Sequence, residues 1–172
     1  MRRSVTVLGV LFLAAGVACG DDSGGGNDTE LNGCPVGPRD GAALLEWLST
    51  GEYQSWTSEN AVHPTAGPHA NEGSDVVRVF VNTCLEESLT AGNSSHPVGS
   101  MAVKELYGDG TTIRGYSATI KTGPDTEGLG EDWYFFTNFD GEEVTATNGA
   151  SACVNCHMAG SDYVQTGFPF MF

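Results

Sequence analysis

Near its C-terminus the chain reads Cys153-Val154-Asn155-Cys156-His157. Two thiols at this spacing, followed directly by an imidazole, can do one specific piece of chemistry. The thiols add across the two vinyl groups of a haem and fix the porphyrin covalently, and the adjacent His supplies an axial nitrogen to the iron. The pattern therefore predicts one covalent haem c per chain, held by Cys153 and Cys156, with His157 as the metal ligand. A disulfide or zinc site is the competing use of such a pair. A structural zinc site needs four ligands, and no second cysteine pair is spaced to complete one.

The remaining cysteines have separate uses. Five are present in all. Cys19 follows a short basic start (Arg2, Arg3), an apolar run from Val5 to Val17 and the small residues Ala15-Gly16-Val17-Ala18. This resembles a bacterial lipoprotein signal, with Gly16 where Leu is commonest. It predicts a signal peptide over 1–18, lipidation of Cys19 and a flexible Gly/Asp/Ser tether over 19–33. Ordinary export with an idle Cys19 is the alternative. Either way the expected address is outside the cytoplasm. With the lipid, it is the periplasmic or outer-membrane face of a bacterial envelope, and the lipid anchor is the chain's one tie to a membrane. Cys34 and Cys84 are then an even remainder in an oxidising compartment, and a disulfide is expected between them. Two free buried thiols are the other account.

Residues 34–172 are long enough for one domain with a real core. High glycine (24 residues) and a low charged fraction (17%) favour a loop-rich, strand-rich domain over a helical bundle. The formal charge of −15 makes nucleic acid an unfavourable partner and suits a basic redox protein or a small neutral or cationic substrate. Acidity that only keeps an exported protein soluble explains the same number.

The elements that must position the motif can be read in order. Asp40 can cap a helix running to about Ser49, with Gly51 as its stop. His63 and His69 lie in a Pro/Gly loop, either solvated or within reach of a haem. Val76 to Val81 alternates as a strand, with Val77, Val79 and Val81 on one face and Arg78 among apolar residues on the other. Arg78 there needs a partner such as a haem propionate, or an edge where it can snorkel to water. Thr83 to Ala91 reads as a short helix with a Thr83/Glu86 capping box. A strand over Ser100 to Tyr107 places Lys104 between Ala102 and Leu106, and Gly108-Asp109-Gly110 turns it into a third strand, Thr112 to Lys121. Trp133 to Thr137 is a fourth strand, and Phe139-Asp140-Gly141 turns the chain out. Ser151 is placed to cap the helix that carries the haem motif, and the tail from Asp162 is apolar enough to pack back. The predicted fold class is mainly β (α+β): an antiparallel meander with a few short helices and the haem near the C-terminus.

Over about residues 69–166 these pieces resemble the cytochrome P-460 family. The likeness is carried by Arg78-Val79-Phe80-Val81-Asn82, by Pro97 and Gly99 leading into Val103-Lys104-Glu105, by Trp133-Tyr134-Phe135, and by the late C-x-x-C-H followed by Asp162-Tyr163-Val164. The resemblance implies a mainly antiparallel β fold, often a homodimer, with five-coordinate haem iron and His157 as its proximal ligand. It implies oxidation of hydroxylamine or a similar small nitrogen compound, with Lys104 bonded to the haem edge and Arg78 as a polar residue on the distal side. Glu131 or Asp132 would be the distal proton acceptor. The family also holds cytochromes c′-β, which lack the cross-link and bind nitric oxide or carbon monoxide. Here Phe80 and Phe135 could be their aromatic caps. A plain electron-transfer cytochrome is a third reading. It needs a second axial ligand from Met101, Met158, Met171, His63, His69 or His96.

Overall fold

A computed structural model of the chain describes residues 28–65, 76–108, 111–124 and 128–170. The signal peptide, Cys19, His69 and Met171 lie outside the described residues. Among the described residues no helix is long and apolar enough to cross a membrane.

The fold is mainly β, with short helices. A two-stranded hairpin, β1 (Glu30–Leu31) and β2 (Cys34–Pro35), opens the described chain. This corrects the reading of residues 30–33 as tether: Asn32 and Gly33 both take positive φ and close the hairpin. Helix α1 (Gly41–Thr50) starts where Asp40 accepts the Ala43 amide at 3.0 Å and stops at left-handed Gly51. Its Leu44, Trp47 and Leu48 are buried.

The large sheet is antiparallel throughout. Its order is β3 (Thr57–Ser58), β5 (Val76–Val81), β6 (Met101–Tyr107), β7 (Ile113–Lys121), β8 (Trp133–Phe139) and β9 (Glu142–Asn148). β4 (His63–Pro64) pairs with β5 beside β3. From β5 onward the strands follow in meander order, each pairing with the next in sequence. Helix α2 (Thr83–Thr90) lies between β5 and β6, and α3 (Ser151–His157) follows β9.

Three local expectations change. The chain does not leave the sheet at Asp140-Gly141; it turns there into β9, which pairs with β8. The cap of α2 is Asn82 rather than Thr83: its Oδ1 accepts the Leu85 amide at 3.0 Å. The same buried side chain also donates to the Pro35 and Gly99 carbonyls, both at 2.7 Å, so it joins helix, hairpin and sheet. Ser151 is the first residue of α3, and no side chain caps that helix.

Alternation along the strands makes two cores. Phe80, Met101, Val103, Ala118, Ile120, Tyr134 and Phe136 face α1. Val79, Val81, Trp133 and Phe135 face the other way, against Leu85 of α2, Cys153 and Val154 of α3, and Tyr163 and Val164 of the tail. Each fully buried large side chain contributes roughly 1.5–3 kcal/mol. The aromatic run of β8 thus feeds both cores by turns. Cys34 and Cys84 form the disulfide, with Cα atoms 5.9 Å apart across 50 residues. Gly99 makes room for it: a Cβ there would lie 2.7 Å from Cys34 Cβ and 2.3 Å from the Leu31 carbonyl oxygen.

Candidate functional site

The haem-motif helix α3 packs on the β8 side of the second core. Both thiols are free, Cys153 half-buried and Cys156 exposed. Three residues apart on one helix, they lie on the same side of it. His157 closes the helix, and its Nδ1 donates to the Tyr163 carbonyl at 2.8 Å. A carbonyl can only accept, so the proton sits on Nδ1 and Nε2 is the nitrogen left for a metal. The Phe135 ring meets the imidazole edge-on, with centroids 5.5 Å apart. Burial pushes the His157 pKa down, and Lys104 adds to that against the pull of the Tyr163 hydrogen bond. The ring is therefore held neutral, as a metal ligand must be. Gly130 lets the helix approach: a Cβ there would stand 2.8 Å from Val154 Cγ2.

Two cavities meet at His157 and Lys104. One, of about 570 Å³, is walled by Phe135, Thr147, Cys153, Cys156, Lys104 and His157. The other, of about 280 Å³, is walled by Glu59, His63, Val77, Val79, Lys104 and His157. The first lies within the roughly 300–1,000 Å³ of small-molecule and cofactor sites. Free thiols, a neutral imidazole with Nε2 available and an adjoining apolar space make a donor set that fits a covalent haem.

Lys104 reaches this place by register. It pairs with Val79 on β5 and Ser117 on β7, so it shares their face of the sheet. Burial pushes its ammonium pKa down, while Glu59 and Cys156 pull it back up. Lys104 is half-buried, and among the described residues its amine makes no hydrogen bond or ion pair.

Arg78 is not brought to these cavities. It pairs with Glu105, on the α1 side of the sheet. Its guanidinium donates to the Glu59 carbonyl at 2.8 Å and to Ser58 Oγ at 2.9 Å, and lies 4.9 Å from the Phe80 centroid. Arg78 so braces the Glu59 segment from behind. Phe80 is on that face too, in the α1-side core, while Phe135 walls the larger cavity. Glu131 is exposed, its carbonyl taken by Asn148 Nδ2 at 2.9 Å. Asp132 is buried 3.4 Å from Lys121 Nζ. Neither carboxylate walls either cavity.

The carboxylate that does is Glu59, only 5% exposed. It lies where the edge partner of β5 is interrupted between β3 and β4. Its amide donates to the Val79 carbonyl at 3.0 Å, and its Oε2 accepts the Val79 amide at 2.6 Å, standing in for a missing strand carbonyl. The same oxygen is 3.0 Å from His63 Nε2. The one sequence signal was the pairing Glu59-x-x-x-His63, which carries no weight outside a helix.

Of the residues considered for a sixth iron ligand, His63 is the described one at the cavities. Met101 is fully buried in the α1-side core, its Sδ accepting the Gly37 amide. His96 is bonded to Ser88, and Met158 is exposed. Among the described residues no cluster of three or more His, Cys, Asp or Glu could hold a metal ion by itself. No protein-family model matches the chain, and no curated protein matches it significantly.

Proposed function

We propose that the chain is an exported, lipid-anchored c-type haem protein that oxidises hydroxylamine or a similar small nitrogen compound, of the cytochrome P-460 type. Cys153 and Cys156 would hold the haem and His157 Nε2 would bind its iron, which would supply redox chemistry and a path for electrons. The observation that carries the reading is the place of Lys104. Its half-buried amine, without a hydrogen bond or ion pair among the described residues, shares both cavities with His157, and the larger with both thiols.

The residues have distinct work in this reading. Lys104, its pKa lowered by burial, offers a nucleophilic amine to the haem edge. Replacing its N–H and a ring C–H by an N–C bond removes electrons and protons in pairs, which an oxidant such as peroxide would take up. Oxidation of hydroxylamine to nitric oxide releases protons and electrons in equal number. Glu59, beside His63, is the carboxylate placed to accept the protons, the role that the family resemblance gives to Glu131 or Asp132. The electrons would pass to an external acceptor, and the charge of −15 suits a basic redox protein.

A second reading is favoured by the apolar wall of the smaller cavity. Val77 and Val79 would suit a diatomic gas held without turnover, as in the cytochromes c′-β.

The test is the spectrum of the reduced protein, with pyridine and without. A covalent haem together with a strongly red-shifted ferrous Soret band is expected, and both the shift and the extra bond seen by intact mass should vanish in Lys104→Ala. An ordinary five-coordinate c-type spectrum, unchanged in Lys104→Ala, would leave the gas-binding reading. A chain without covalent haem would end both.

A further inference from the structure

The turn after the haem-motif helix has an uncommon backbone. Asp162 and Tyr163 have φ of 47° and 62°, and the Val164 amide donates to the Ser161 carbonyl at 2.9 Å. This is a turn with both central residues left-handed, a type favouring Gly, Asn and Asp. Asp162 suits it; Tyr163 does not, and a side chain persists there only when its surroundings hold it.

Both residues are held to the sheet. Asp162 Oδ2 accepts the His96 amide at 2.6 Å, Ser95 Oγ at 3.3 Å and Lys121 Nζ at 2.5 Å, while Oδ1 accepts Trp133 Nε1 at 3.3 Å. The ion pair is closed to water, its side chains 2% and 4% exposed. The Tyr163 hydroxyl donates to the Gly128 carbonyl at 2.7 Å. What this fastening delivers is one atom, the Tyr163 carbonyl oxygen, to His157 Nδ1 at 2.8 Å.

We propose that Lys121 and Asp162 are positioning residues for His157: their buried ion pair fixes the Asp162–Tyr163 turn, and the turn aims the Tyr163 carbonyl that keeps the proton on Nδ1 and turns Nε2 towards the cavity. A buried ion pair is a costly way to gain stability alone, since apolar side chains of similar size often do as well. Its use here is geometric. A second-shell acceptor sets both the tautomer and the orientation of a ligating imidazole. The chain has two lysines, and both point from the same face of the sheet, Lys104 into the cavities and Lys121 to the turn behind them. The final step, presentation of Nε2 to iron, rests on the haem reading; the coupling of the turn to the ring does not.

The experiment uses the full chain in two states. In the haem-free protein, nitrogen NMR of the His157 ring should show the Nδ1–H tautomer almost alone. In Asp162→Ala the other tautomer should rise several-fold, and the nearly isosteric Lys121→Met should move it the same way by less. Asp40→Ala, which removes the cap of α1, should lower the melting temperature and leave the tautomer unchanged. Loss of stability in Asp162→Ala and Lys121→Met with an unmoved tautomer would overturn the proposal. Lys121→Met keeps the test decisive if Asp162→Ala does not fold. In the loaded protein the iron–histidine stretching frequency should shift in the two turn variants and not in Asp40→Ala. Absence of haem from the wild-type chain would sink the haem reading, while the NMR arm still decides on positioning.

Discussion

Lys104 and Glu105 are neighbours on β6, and the two faces of the sheet treat them in opposite ways. On the α1 side Glu105 is 1% exposed and fully provided with donors: Tyr53 Oη at 2.6 Å, Gln54 Nε2 at 3.0 Å and Tyr107 Oη. Burial and the Glu105 hydrogen bond push both tyrosine hydroxyls well above their ordinary pKa, so they remain donors. On the other side Lys104 has no such provision and opens onto two cavities. A buried charge that is fully hydrogen-bonded belongs to the architecture. A half-buried charge without such partners, beside a cavity, is a candidate for chemistry. On the proposed function, one strand thus carries a structural charge and a chemical one, one residue apart.

The largest expected effect joins the two sides. The disulfide ties β2, next to Val36 of the α1-side core, to α2, whose Leu85 belongs to the opposite core. Replacing both cysteines by Ser should lower unfolding free energy by about 4 kcal/mol in the chain-entropy model, measured by urea denaturation. A loss below about 1 kcal/mol would mean that packing alone holds the two sides together. Next comes Glu105→Leu, which strands three donors and should cost about 3 kcal/mol. Lys104→Met should stay within about 1 kcal/mol of the wild type in stability, yet abolish the red-shifted haem spectrum. Equal destabilisation by the two variants would break the distinction between the faces.

Much of this was legible in the sequence, and the gaps have physical causes. Alternation at Val76–Val81 and Met101–Tyr107 sorted each strand into two faces correctly. It could not say which face of one strand meets which face of the next. Arg78 and Lys104 were therefore assigned to one site, and only the register of Val79 with Lys104 and Arg78 with Glu105 separates them. Strand β9 went unseen because Glu142–Asn148 is mostly polar, an exposed edge with little to alternate. The helix over Ser151–His157 was plain because its C-x-x-C-H run is contiguous in sequence. Glu59 was not, because what makes it a cavity residue is a break in an edge strand, visible only once β3 and β4 are paired with β5.

The smallest expected effect is a pH dependence on the site side. His96 is 3% exposed, with Nδ1 sharing a hydrogen bond with Ser88 Oγ at 2.9 Å. Burial pushes its pKa below the ordinary 6.5; Lys121 acts the same way, while Asp162 and a backbone contact at Ser161 oppose it. In the unfolded chain the ring takes up a proton near pH 6.5, while in the folded chain it resists. Below pH 6.5 the unfolded state therefore binds more protons, and stability falls as pH drops from 6.5 to the lower folded pKa. His157 acts in the same direction in the haem-free chain. The comparison is of urea midpoints at about pH 7.5 and about pH 5.5. Wild type should lose stability between them, and His96→Gln should lose less. Because the His96 amide and Lys121 share Asp162, the turn behind His157 should loosen on acidification. An identical drop in His96→Gln would assign the acid sensitivity elsewhere.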